Sequence, residues 1–145
     1  MDYCSKPEEI VQNPEALSLM VLISNGNNAA LDFIWRCWNF CHLIDDLIDR
    51  DKPVTIQETA REVFMFTQMI ALNEFFQIHK ASLLPMILNA CNGWIAGEEA
   101  GKQKKKYAPA LKCSDFNIYS HVAFIVGGWE HMVYVDSQFR TYDEE

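Results

Sequence analysis

Around the stretch from Trp35 to Asp51 apolar residues recur at helical spacing, with Phe33, Cys37, Phe40, Cys41, Ile44, Leu47 and Ile48 on one broad side of a helix turning about 100° per residue. Trp35, Trp38, His42, Asp45, Asp46 and Asp49 share a neighbouring arc, aromatic at one end and acidic at the other. Asn25-Gly26 is a turn signal before this helix, Asn27 or Asn28 caps it, and Lys52-Pro53 ends it. Upstream, Ser5 and Pro7-Glu8-Glu9 mark a helix start, and Asn13 caps a second, mostly buried helix from Pro14 to about Ser24.

Downstream, Thr55 starts a helix to about His79, with Ile56, Ala60, Val63, Phe64, Thr67, Ile70 and Ala71 as its core stripe. Glu74 continues that stripe and is expected to point inward, where a carboxylate needs a partner. Ser82 caps a further helix to about Lys102, whose stripe is Leu84, Ile87, Leu88, Cys91 and Ile95, with Glu98 in its continuation. Gly93, Gly97 and Gly101 leave one side of this helix almost bare, which suits close packing of a neighbouring helix or, less commonly, the close approach of a bulky ligand.

The stretch from Ser114 to about Arg140 carries two patterns. Residues 121–135 read as a hairpin turning at Gly127-Gly128, or as part of a helix with Tyr119, Val122, Val126, Trp129, Val133 and Asp136 in one stripe. The helix is preferred, because a lone hairpin fits poorly beside four helices. Glu130 and His131 then follow the glycines by about one turn, where either could face a pocket. The fold class expected is all-α: a single domain over residues 1–145, an antiparallel bundle of five or six helices, with a frayed acidic tail at 141–145.

Charge narrows the partners. Twelve basic and 20 acidic residues give a net charge of -8, which disfavours nucleic acid and anionic membrane surfaces. No apolar run is long enough to span a membrane, and MDYCSKPEE lacks the pattern of a signal peptide. The five cysteines are odd in number and contain no CxxC pair. Buried reduced thiols, with Cys37 and Cys41 stacked one turn apart, are the expectation, and a cytoplasmic location follows from it.

Candidate chemistry centres on Asp45, Asp46 and Asp49. Carboxylates this close repel one another, so the cluster calls for protonation or a cation. All-oxygen donors suit Mg²⁺ or Mn²⁺, with positions left for phosphate oxygens. A solvated acidic helix end is the plainer reading, although aspartates there oppose the helix dipole. In an antiparallel bundle Glu98 would reach the same pole as Asp45 and Asp49, while Glu74 would lie at the other. The run Lys102-Gln103-Lys104-Lys105-Lys106 is either a solvated loop or a phosphate ligand, with Lys102 the best placed of its lysines.

Asp45-Asp46-Leu47-Ile48-Asp49 resembles the first aspartate-rich motif, DDxxD, of the class I isoprenoid synthases. That resemblance covers the motif and the aromatic helix before it, and implies an isoprenoid-synthase-like helical fold. It implies Asp45, Asp46 and Asp49 as Mg²⁺ ligands with Glu98 in support, Trp35, Trp38 and His42 lining an apolar cavity, and Arg50 or Lys102 facing the diphosphate. The activity implied is that of a metal-dependent transferase or lyase acting on a prenyl diphosphate. The chain is about half the family's length, which points to a homodimer or to a scaffold that binds without turnover.

Two other readings stand beside it. An all-α, MazG-like nucleoside triphosphate pyrophosphohydrolase also uses acidic helices and Mg²⁺, but requires ExxE and ExxD pairs, and this chain has Glu98-Glu99 instead. A non-catalytic helical binding or assembly protein would use the acidic cluster to engage a basic partner.

Overall fold

A computed structural model describes residues 14–49, 52–106 and 114–139. Five helical spans occur there: α1 Pro14–Ser24, α2 Asn28–Asp49, α3 Ile56–Leu72, α4 Glu74–Lys102 and α5 Phe116–Phe139. No strand occurs among the described residues, so the all-α expectation holds. The helix expected after Ser5, the Asn13 cap and the tail lie outside the described residues. The chain forms two compact units, one up to Ile78 and one from His79 onward.

In the first unit α2 packs against both α1 and α3. The turn before α2 uses two left-handed residues, Asn25 at φ 49° and Gly26 at φ 83°, a conformation open to glycine and tolerated by asparagine. Asn27 then caps α2, its Oδ1 accepting from the Ala30 amide at 3.0 Å. Residues 33–38 are all buried, so the middle of α2 is enclosed on every side. Phe33 meets Phe75 and Phe76 at centroid distances of 5.9 Å, and Phe40 stacks on Phe66 at 4.4 Å.

The helix expected to run from Thr55 to His79 is two helices. Thr55 does start the first, in a capping box with Glu58. Asn73, extended at φ -73° and ψ 120°, ends it. The Asn73 amide donates to Met69 O, while its Oδ1 accepts from Phe76 N at 2.8 Å and so caps α4. Glu74 therefore lies in the first turn of α4, exposed, where the helix dipole favours a carboxylate; it does not point inward. Ser82 lies inside α4 and caps nothing.

Both core stripes expected for α3 and α4 were placed out of phase. On α3 the buried residues are Met65 and Met69, and Ile56, Val63 and Phe64 are exposed. On α4 the buried side chains beyond the first turn are Leu83, Ala90, Trp94 and Ala100, and Leu84, Leu88 and Ile95 are exposed. Each helix is apolar around much more than one face, and spacing alone does not choose between two apolar lines.

α4 ends in a Schellman arrangement. Lys104 adopts φ 57°, its amide donates to Gly101 O at 3.0 Å, and the Lys105 amide donates to Ala100 O at 2.9 Å. The basic run is thus the C-terminal cap of a helix, with its lysines exposed at the negative end of the dipole. At exposed Gly101 an added Cβ would meet nothing within 4 Å, so close packing does not account for that glycine.

α5 is helical, as preferred, but it is not straight. Ser120 Oγ donates to Asp136 Oδ1 across 16 residues, which a continuous helix would hold about 24 Å apart. The chain reverses at Gly128, whose φ of 84° and ψ of -173° lie in a region essentially restricted to glycine. The two-glycine turn that suggested a strand hairpin joins two helical arms instead.

Candidate functional site

The aspartates end α2, a helix of 22 residues with no basic residue in its last turn. Asp45 and Asp46 are half-buried, and the side chain of Asp49 and the whole of Arg50 lie outside what the structure describes. Among the described residues no three His, Cys, Asp or Glu side chains converge as a metal site would require. The described aspartates at this helix end, Asp45 and Asp46, offer carboxylate oxygens, the donors that hard divalent cations take.

One to three turns back along the same arc stand the aromatic residues. Trp38, buried, stacks on His42 at a centroid distance of 5.2 Å. His42 Nδ1 lies 2.9 Å from Trp38 O; a carbonyl only accepts, so Nδ1 carries the proton and the ring's orientation is set by its own helix. Trp35 is 3% exposed, and its Nε1 has no hydrogen-bond acceptor among the described residues. An indole N–H left unsatisfied in the interior costs on the order of 1–3 kcal/mol.

Of the other expected site residues, Glu98 is half-buried and Lys102 exposed, both on α4 in the second unit. Lys102 stands in the last turn of α4, where its charge complements the helix dipole. Glu130 is exposed. His131 is half-buried and lies over Gly127: a Cβ built there would stand 2.4 Å from the imidazole ring.

Sequence reasoning passed over two features. Arg36 is 9% exposed in the enclosed middle of α2, and a buried guanidinium is held only where polar groups surround it. Its signal was available: a lone charge between Trp35 and Cys37 in an otherwise apolar stretch. The second is a polar group in the other unit, where His121 Nε2 lies 2.9 Å from Ser82 Oγ and Ser82 Oγ donates to His79 O at 3.2 Å. A hydroxyl has one proton, so His121 is the donor to Ser82. Burial, then the nearby charge of His79, pushes the His121 pKa below 6.5. Nothing in the spacing of Ser82 and His121, 39 residues apart, announces this pair.

No disulfide joins Cys37, Cys41 or Cys91; Cys37 is buried, Cys41 half-buried and Cys91 exposed. Among the described residues no helix is long and apolar enough to cross a membrane. Fold and site define the chain's class as an all-α helical protein with an acidic helix end. Comparison with protein-family models, curated proteins and solved structures finds no match to it.

Proposed function

We propose that the C-terminal end of α2 binds Mg²⁺ or Mn²⁺ through Asp45, Asp46 and Asp49, and through the metal holds the diphosphate of a small-molecule ester. The observation that carries this reading is the half-burial of Asp45 and Asp46 at a helix C-terminus with no basic residue in its last turn. The helix dipole opposes carboxylate charge at that end, and a divalent cation would offset it. The DDxxD resemblance makes the ester a prenyl diphosphate and the chemistry, where turnover occurs, that of a transferase or lyase. A bound metal would supply charge neutralisation of the diphosphate. The chain's own part is the oxygen donors, with half-buried His42 on the same arc; Trp35 and Trp38, buried in the enclosed middle of α2, would meet an apolar chain only in a cavity inside the fold.

Thermal melting tests the reading. Mg²⁺ should raise the wild-type midpoint, inorganic pyrophosphate should raise it further in the presence of metal, and Asp45→Asn with Asp49→Asn should respond to neither. A wild type indifferent to metal, with a double variant that melts higher through relieved repulsion, rejects it.

A second reading, a non-catalytic assembly protein, is favoured by a separate observation: large apolar side chains stand exposed on α3 and α4. These apolar residues are not those of the acidic cluster, so assembly through them does not compete with a cation at the end of α2.

A further inference from the structure

Leu84, Leu88, Cys91 and Ile95 follow one another at spacings of four, three and four along α4, the repeat of a coiled-coil seam. All four are exposed, Leu84 at 54%, Leu88 at 61% and Ile95 at 62%. A neighbouring line, through Leu83, Ala90 and Trp94 and about 100° round the helix, is the one that is buried. α4 is thus apolar on two sides and covered on one. The seam itself runs from Leu84 to Ile95, about 18 Å of helix, with Pro85 inside the helix beside its first residue.

The charges along the exposed seam suit one occupant. Glu74 opens the helix, Lys80 follows near its start, Glu98 and Glu99 stand near its end, and Lys102, Lys104, Lys105 and Lys106 close it. A second α4 running antiparallel, with the two-fold axis between Leu88 and Cys91, sets Leu84 opposite Ile95 and Leu88 opposite Cys91. The same register brings Lys80 to the height of Glu98 and Glu99. Parallel pairing instead places the lysine run against itself. We infer that the chain forms a homodimer through the Leu84–Ile95 face of α4, with the two helices antiparallel.

Such an interface is isologous, so each substitution enters twice. Sedimentation equilibrium of the full chain should show a dimer that dissociates on dilution over a roughly hundredfold range of concentration. Leu88→Glu should raise the dissociation constant roughly a hundredfold or more, since the symmetry axis places two charges in the seam. Circular dichroism should find its helix content unchanged, because Leu88 is exposed within one chain. Lys80→Glu should weaken the dimer about tenfold, and adding Glu98→Lys and Glu99→Lys should restore it. A wild type that stays monomeric throughout, or a Leu88→Glu variant that dimerises as the wild type does, overturns the interface. A monomeric wild type whose Leu88→Glu variant melts lower places the seam inside the chain's own fold. Failure of the charge reversal to restore a Lys80→Glu dimer overturns the antiparallel register.

Discussion

Asn73 Nδ2 donates a 2.9 Å hydrogen bond to the carbonyl oxygen of Ala29, and so ties the junction of α3 and α4 to the first turn of α2. The same side chain caps α4 through Phe76 N. Asn73→Ala removes both bonds and should cost about 2 kcal/mol, roughly half from the cap and half from the lost tie. Asn73→Asp keeps the capping oxygen, loses the donor to Ala29, and should cost about half as much. Urea denaturation checks both, with the denaturant slope unchanged.

That junction also marks where sequence reading reached its limit. The caps carried by Asn27 and Thr55 and the span of α1 were legible, because a cap is a local event written in a few residues. Asn73 was not, because nothing before Glu74 interrupts the apolar periodicity and the break depends on a partner 44 residues away. The buried lines of α3 and α4 escaped for a related reason: with Leu83 beside Leu84 and Met65 beside Phe64, either choice satisfies the period. At the candidate site the acidic run and its aromatic arc were plain in the sequence, whereas the burial of Arg36 and the Ser82–His121 contact are tertiary facts.

Gly127 and Gly128 are required by the reversal of α5. Gly128→Ala forces a side chain into φ 84° and should cost about 1–3 kcal/mol. Gly127→Ala brings a methyl within 2.6 Å of His131 Cβ, as well as against the ring, so a ring rotation alone does not relieve it, and a similar loss is expected. Thermal melting by circular dichroism measures each loss.

The end of α4 places its glycine three positions early. Lys104 adopts a left-handed conformation that suits glycine, while Gly101 is helical and has open space around it. Lys104→Gly and Gly101→Ala should each stabilise the chain by roughly 0.5–1 kcal/mol. Differential scanning calorimetry should find both midpoints raised, and the sign of either shift is the check.

His121 makes stability depend on acid. Its pKa in the folded chain lies below 6.5, so the unfolded chain binds the proton more tightly. The stability that follows from the neutral ring is present in full above pH 6.5 and is lost as the pH falls through the lower, folded value. Urea midpoints measured from pH 7.5 downward should fall, and His121→Gln should flatten that part of the profile. An unchanged slope in the variant assigns the pH dependence to other groups.

The aspartates of α2 carry the central proposal, that this helix end binds a cation and through it an anionic ligand. The most direct measurement is titration of the wild type and of Asp45→Asn with Asp49→Asn with Mn²⁺, following the electron paramagnetic resonance signal of the free ion, with and without inorganic pyrophosphate. Saturable loss of free Mn²⁺ on the wild type, strengthened by pyrophosphate and abolished in the double variant, is the result predicted. Equal free Mn²⁺ with both proteins, pyrophosphate present or absent, contradicts the claim and leaves α2 ending in a solvated acidic turn.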